Sequence, residues 1–298
     1  MHINSPTSSR IYHWRPAAWL RISGPDAFDF LQGQFTNDLR ELERHPAVYG
    51  LWLNLKGKVL ADSFVLRAAE PDAFWVGSYF SPAAVIQERL EGFIIADDVV
   101  IEDVTAGWAG VSVMGPAAGK LKDESPPMGV IFPGRRGMGD GIEWVFPVAA
   151  AETVAARLTG MEELTPGDLD RSRILAGIPA VPADLGPGDL PNEGGLETSA
   201  ISYTKGCYLG QEVMARLHAM GQVRRRLLQV RGVGATIPEL PAKLFGPVRQ
   251  VGELRTAVPE GDGGYLGLAM LSLPNLTPEM ELALALAAAP TLRLLEAP

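Results

Sequence analysis

The stretch Ala47–Ala68, AVYGLWLNLKGKVLADSFVLRA, holds two alternating runs of apolar residues on either side of Lys56-Gly57. Alternation with a period of two, broken by a glycine that can take a positive φ, predicts a β-hairpin. With Lys56-Gly57 as the loop, Tyr49 faces Phe64, Leu51 faces Asp62 and Leu53 faces Leu60. Side chains alternate across a strand, so Leu60, Asp62, Phe64 and Leu66 share one side. A carboxylate then stands on an apolar sheet face. Such a group has its pKa raised or meets a partner, as in a working site, or it is a satisfied structural aspartate.

Either side of this hairpin the same order recurs. AAWLRISGPDAFDFLQGQ reads as a strand, a Gly-Pro step and a helix, and WAGVSVMGPAAGKL repeats that order near Trp108. The echo points to an internal duplication. FSPAAVIQERLEGF predicts a helix with Ser81 as N-cap and Pro82 in its first turn. GIEWVFPV predicts a strand that carries Glu143, either as an exposed acid or as an acceptor for a heterocycle's amino and ring N–H groups. LDRSRILAGIP predicts a short helix, and AVPADLGPGDLPNEGG a long loop of the kind that carries function. Beyond Gly221 the pattern becomes short strands with turns, a small all-β unit.

Of the 298 residues only one is cysteine, which excludes an internal disulfide and suits a reducing compartment. The N-terminal segment lacks an apolar signal region, and MELALALAAAP is too short to span a membrane, so a cytoplasmic protein is expected. The net charge of −9 argues against direct nucleic-acid binding. Locally the sign reverses: Lys205, Arg216, Arg224, Arg225, Arg226 and Arg231 stand against Glu212 alone between Ile201 and Arg231. That island suits a small anionic ligand, or else a solvated strand face. GPAAGK is not a complete phosphate loop, GMGDG lacks a strand–helix context, and the four histidines have no metal-ligand spacing.

Cys207 lies in SYTKGCYLGQEVMARLHAMG. Val213, Met214, Leu217 and Met220 recur at helical spacing, so a buried helix begins near Gly210. The thiol then sits in a glycine-framed loop ahead of a helix N-terminus, with Lys205 nearby. It suits a nucleophile, a redox handle or one ligand donated to a partner's cluster; the bland alternative is a small buried residue.

KGCYLGQE resembles the signature of the YgfZ-type folate-binding proteins, relatives of the glycine-cleavage T-protein that assist iron–sulfur enzymes. SGPDAFDFLQGQFTNDL, NLKGKVLAD, GIEW, RILAGIP, LPNEGGLETSAISYTKGCYLGQE and RRRL follow in that family's order. The resemblance implies an α+β fold: a T-protein-like folate-binding domain over residues 1–220, built of ferredoxin-like or mixed sheets with helices in one or two interleaved subdomains, and a C-terminal β-barrel domain over 221–298. It implies a central hole for tetrahydrofolate or a folate derivative. Asp62 falls at the position of the T-protein's catalytic aspartate, Tyr49 at a folate-lining tyrosine, Glu143 at the glutamate that holds the pterin, and Arg173 at an arginine of that family's Arg-Leu-Glu-Ala-Gly element, whose glutamate is Leu175 here. Phe64, Lys205, Tyr208, Gln211 and Arg225 complete the expected folate set, the cations matching the glutamate tail. The implied function is an accessory protein, with no resident metal, that supports iron–sulfur enzymes or assembly proteins and tRNA modification through Cys207. The alternatives are a folate-dependent aminomethyltransferase or demethylase using Asp62, and a folate-free interaction scaffold.

Overall fold

Val48–Leu53 and Val59–Arg67 form the hairpin that their alternation requires, with Tyr49 opposite Phe64 and Leu51 opposite Asp62. At the tip the register differs from expectation, because Leu53 pairs with Val59 rather than Leu60. The cause is local. Asn54 Oδ1 accepts the amides of Lys56 (2.9 Å) and Lys58 (3.1 Å), and the Asn54 amide donates to the Lys58 carbonyl. An asparagine that bonds its own turn extends the loop to Asn54–Lys58 and leaves a bulge after Trp52.

The computed structural model describes residues 8–122, 126–137, 139–234, 236–261, 263–277 and 279–295. After β1 (Arg10–Trp14) come β2 (Ala18–Ser23), α1 (Ala27–Gln34), β3 (Val48–Leu53), β4 (Val59–Arg67), β5 (Ala73–Ser78), α2 (Ala83–Glu91) and β6 (Val100–Asp103). Next are β7 (Trp108–Met114), α3 (Pro116–Lys122), β8 (Val130–Pro133), β9 (Gly141–Pro147), α4 (Ala151–Arg157) and β10 (Glu162–Glu163). Then α5 (Pro166–Leu175), a long loop and α6 (Gln211–Met220) lead into β11 (Arg225–Val233) and β12 (Ala242–Phe245). The chain closes with β13 (Gln250–Pro259), β14 (Gly264–Ser272), β15 (Glu281–Leu282) and β16 (Leu292–Leu294).

Two sheets run β3-β4-β5-β2-β6 and β10-β1-β7-β9-β8. Without the edge strand β3 in one and the inserted β1 in the other, both have the strand order of a split β-α-β-β-α-β unit. This is the duplication that the echoed strand, Gly-Pro, helix segments foreshadow. Helices α1 and α2 cover the outer face of the first sheet, where Phe30, Leu31, Ile86 and Leu90 meet Leu20, Trp52, Val65 and Val76. Helices α3 and α4 cover the second, where Leu121 and Val154 meet Val111, Ile142 and Trp144. The inner faces meet in an aromatic core of Trp19, Phe64, Leu66, Tyr79, Phe132 and Val145. Asp62 and Glu143 are carried on these inner faces.

The third sheet, β12-β13-β14-β11-β16-β15, is antiparallel and curls into a half-barrel. Strands β12 and β15 are too short to stand out in the sequence, and MELALALAAAP yields only the two residues of β15. Two helix expectations need correction. Ser81 does not cap α2, whose N-cap is Pro82, because its hydroxyl is engaged by Asp62. Met220 is 75% exposed, since α6 ends there at Gly221 (φ +71°) and its last turn runs past the core.

The hairpin tip docks on α6. A Cβ at Gly210 (φ +87°) would lie 3.0 Å from the Asn54 carbonyl oxygen and 3.3 Å from Gly57 Cα, whereas one at Gly206 would meet nothing within 4 Å. Gly210→Ala is therefore expected to lose roughly 1–3 kcal/mol of stability, and Gly206→Ala to stay within about 0.5 kcal/mol of the parent. Urea unfolding of the pair checks this, and equal losses would refute the docking role of Gly210.

Candidate functional site

Asp62 is 4% exposed, on the face where β3 and β4 meet the second sheet. Three hydroxyls surround it. Ser78 and Ser81 donate to Oδ1 at 2.7 Å each, and Tyr49 donates to Oδ2 at 3.0 Å. The Ser81 hydroxyl also accepts the Asp62 amide (3.0 Å) and lies 3.1 Å from the Val181 carbonyl, in the long loop. Asp62 is satisfied by side-chain hydroxyls, and burial still raises its pKa against the pull of those hydroxyls and of Arg135.

Glu143 is not an exposed strand acid. It is 1% exposed, opposite Ser112 in the β7–β9 ladder, and the Ser112 hydroxyl donates to Oε2 at 2.7 Å. Tyr79, which leaves the first sheet just after β5, reaches across and donates to Oε1 at 2.9 Å. Burial raises the Glu143 pKa as well, opposed first by the charge of Arg136, whose Nε lies 3.4 Å from Oε1. Both tyrosine hydroxyls are held protonated, chiefly by burial.

Two arginines that sequence reading passed over close this region. The β8–β9 loop begins Gly134-Arg135-Arg136-Gly137. The Arg135 guanidinium lies 4.1 Å over the Tyr49 ring, and that of Arg136 lies 3.9 Å over Tyr79 and 4.7 Å over Trp14. Gly134 allows the approach, because a Cβ there would be 2.5 Å from Glu143 Oε1. The available signal is the paired arginine framed by glycines. Ser78, Tyr79 and Ser112 were passed over too, as single hydroxyls carry no sequence pattern, and Ser81 was read only as a helix cap. Beside these residues lies a cleft of about 10 Å³, lined by Tyr79, Phe80, Arg135, Arg136, Leu169, Asp170 and Arg173.

Of the expected residues, Tyr49, Asp62, Phe64 and Glu143 gather in this aromatic region, and Arg173 reaches the cleft from α5. Phe64 packs edge-on against Tyr79 at 5.2 Å. Arg173 is buried and ion-paired with Asp184 and Asp170. The others lie elsewhere. Lys205 gives its ammonium to the carbonyls of Gln32, Phe35 and Asn37, at 2.6, 2.6 and 3.0 Å, and burial lowers its pKa to about 8. Tyr208 packs with Leu51, Leu53 and Met214, and Gln211 opens α6. Arg225 pairs with Asp189 and Glu193. Arg216, Arg226 and Arg231 also face acids, so most of the basic island is neutralised from within. Cys207 is exposed, which removes the buried-residue alternative. No cluster of three or more metal-ligating side chains occurs among the described residues. Among them, too, no helix is long and apolar enough to cross a membrane.

Residues 10–124 match the GCVT N-terminal domain family. The chain is 31% identical over 239 residues to the human mitochondrial iron-sulfur cluster assembly factor IBA57, covering 71% of this chain and 63% of that protein, under two thirds of its length. It is 27% identical over 289 residues to the tRNA-modifying protein YgfZ of Edwardsiella ictaluri, covering 89% and 84% of the two chains. The glycine cleavage system aminomethyltransferase T from Bartonella henselae matches at a TM-score of 0.80, over 98% of this chain and 86% of that one, with 19% identity, a likeness of fold. An α+β protein of the T-protein fold is thus defined. In sequence the chain resembles the YgfZ-type relatives of the glycine-cleavage T-protein.

A carboxyl with a raised folded pKa binds its proton more tightly folded than unfolded. Its contribution is full below the ordinary value of 3.8 and is lost as pH rises through the raised value. Asp62→Asn is therefore expected to match the parent near pH 4 and to melt roughly 2–4 °C higher at pH 8. A melting difference that does not change between the two pH values would contradict this.

Proposed function

We propose that this chain is an accessory protein that binds tetrahydrofolate, or a folate derivative, between its two facing sheets. On this reading it supports iron–sulfur cluster assembly and the tRNA-modifying enzymes that depend on such clusters. Residues 1–220 act as the folate-binding domain and 221–298 as the barrel domain. Its partners are iron–sulfur enzymes or assembly proteins, and Cys207, exposed on its loop, is the redox or ligand residue. The roles named for the human and bacterial relatives support the iron–sulfur and tRNA parts of this reading.

One observation supports the folate part best. Arg136 is a planar donor group stacked on Tyr79 beside a buried carboxylate. The aminopyrimidine edge of a pterin is also planar, has an amino group and a ring N–H in a guanidine-like array, and stacks on aromatic rings. The acceptor Glu143 and the rings of Tyr49, Tyr79 and Trp14 fit that chemistry, with Asp62 behind Tyr49 holding its hydroxyl. Among the described residues the buried Arg135 Nε has no hydrogen-bond partner, and Arg136 Nε has only its 3.4 Å approach to Glu143. The space does not fit until the arginines swing aside, since ligand sites of this kind run to ~300 Å³ or more.

When bound, tetrahydrofolate supplies a nitrogen carrier for one-carbon units. The protein's part is then to hold the ring on Glu143, stack it on Tyr79 and exclude water through Phe64, Phe132 and Trp14. The accessory reading is favoured over the transferase because both Asp62 oxygens are already engaged by hydroxyls.

Calorimetry with tetrahydrofolate is expected to give saturable binding. Glu143→Gln should weaken it about tenfold, the scale of a hydrogen bond to a charged group, and Arg135→Ala should tighten it by clearing Tyr49. Absence of binding by both the parent and Arg135→Ala would end the folate reading. Cys207→Ala should keep folate affinity yet fail to restore iron–sulfur enzyme activity in a deletion strain, and full restoration would remove Cys207 from the function.

A further inference from the structure

Arg89, Arg136, Arg173 and Lys205 are all more than nine-tenths buried. Arg136 and Arg173 face carboxylates, and Lys205 has three carbonyls for its three ammonium protons. Arg89 differs. Its Nε donates to the Leu53 carbonyl (3.0 Å) and its Nη2 to Gln34 Oε1 (2.9 Å), while Nη1 is buried with no partner among the described residues. It forms no ion pair with any described residue. Burial lowers its pKa to about 10, which leaves it cationic at neutral pH. A buried cation held only by neutral acceptors keeps much of its desolvation penalty, and the unmatched N–H adds to it.

Arg89 forms the floor of a groove of about 340 Å³ between α2, the hairpin tip and the Cys207 loop, lined further by Asn54, Leu55, Lys56, Phe93 and Leu209. That volume falls in the range of small-ligand sites, ~300–1,000 Å³. Among the described residues the lining has a second cation and no acid. Apart from Asn54 it is apolar elsewhere, and Leu55 is 74% exposed. The guanidinium lies 4.2 Å over the Phe93 ring, which fixes its plane, and Asn54 fixes the turn that bears Lys56. The groove shares no lining residue with the cleft near Glu143.

We infer that this groove binds an amphipathic carboxylate, its head on Arg89 Nη1 and Lys56 and its apolar arm along Leu55, Phe93 and Leu209. The site is independent of the folate reading. Octanoate, octanol and acetate are the probes, titrated into the isotope-labelled full chain while the amide signals of Leu55, Lys56, Phe93 and Leu209 are followed. Octanoate is expected to shift these signals saturably, with octanol and acetate at least about tenfold weaker. Arg89→Gln should abolish the response. Lys56→Glu and Leu209→Asp, at less buried positions, should each weaken it about tenfold, and they carry the test if Arg89→Gln does not fold. Octanol binding as tightly as octanoate, parent-like binding by both surface variants, or no saturable shift would each overturn the assignment.

Discussion

Two carboxylates buried between facing sheets set the terms for the inner architecture. A carboxyl removed from solvent must be matched atom by atom or neutralised, and Asp62 and Glu143 are both buried in the aromatic core. Hydroxyls therefore converge from separate elements: Ser78 and Ser81 from the end of β5 and beyond, Tyr49 from β3, Ser112 from β7. The demand overrides local preference. Ser81, ideally placed to cap α2, turns its hydroxyl to Asp62 instead. Tyr79 belongs to the first unit and bonds the acid of the second, so the two sheets are positioned by a polar contact as well as by packing.

The hydroxyls are fixed by strands or strand ends, whereas Arg135 and Arg136 come from a glycine-framed loop. Gly134 passes Glu143, and Gly137 passes Ser172 of α5 so closely that a Cβ would lie 2.0 Å from its Oγ. Long side chains on a connecting loop are the groups that leave a buried region without disrupting a sheet. The cations that balance the two acids thus stand on a loop, apart from the strands that fix the hydroxyls. Raised carboxyl pKa values lower stability at neutral pH, the usual tension where a site is kept at the expense of fold stability.

What was legible in the sequence was local. Alternation gave the hairpin and its register at Tyr49 and Asp62, and the echoed Gly-Pro helix starts gave the duplicated units. The tip register escaped because a single side chain, Asn54, decided it. The basic island misled for a different reason. Composition counts charges along the chain, but Arg225 meets Glu193 and Asp189, and Lys205 meets carbonyls at the end of α1, all by tertiary contact. The arginine pair escaped because its partners are aromatic faces and a carboxylate on other elements, which no spacing in the sequence encodes.

The hairpin connects these regions mechanically. Its middle holds Asp62 and Tyr49 against the second sheet, and its tip meets α6, where Gly57 packs on Val213 and Met214 and Gly210 packs on Asn54. Leu51 and Leu53 continue the contact through Tyr208, the residue after Cys207. On the other side of the tip, the Leu53 carbonyl holds Arg89. Strands of this kind are stiff, and packed contacts between them shift together rather than one by one. A displacement of β3 that made room beside Tyr49 would therefore also load the Gly57–Gly210 contact, and with it the loop that presents the thiol. The close packing of both glycines, Gly57 against Val213 and Met214 and Gly210 against Asn54, leaves that contact little room to absorb such a change locally.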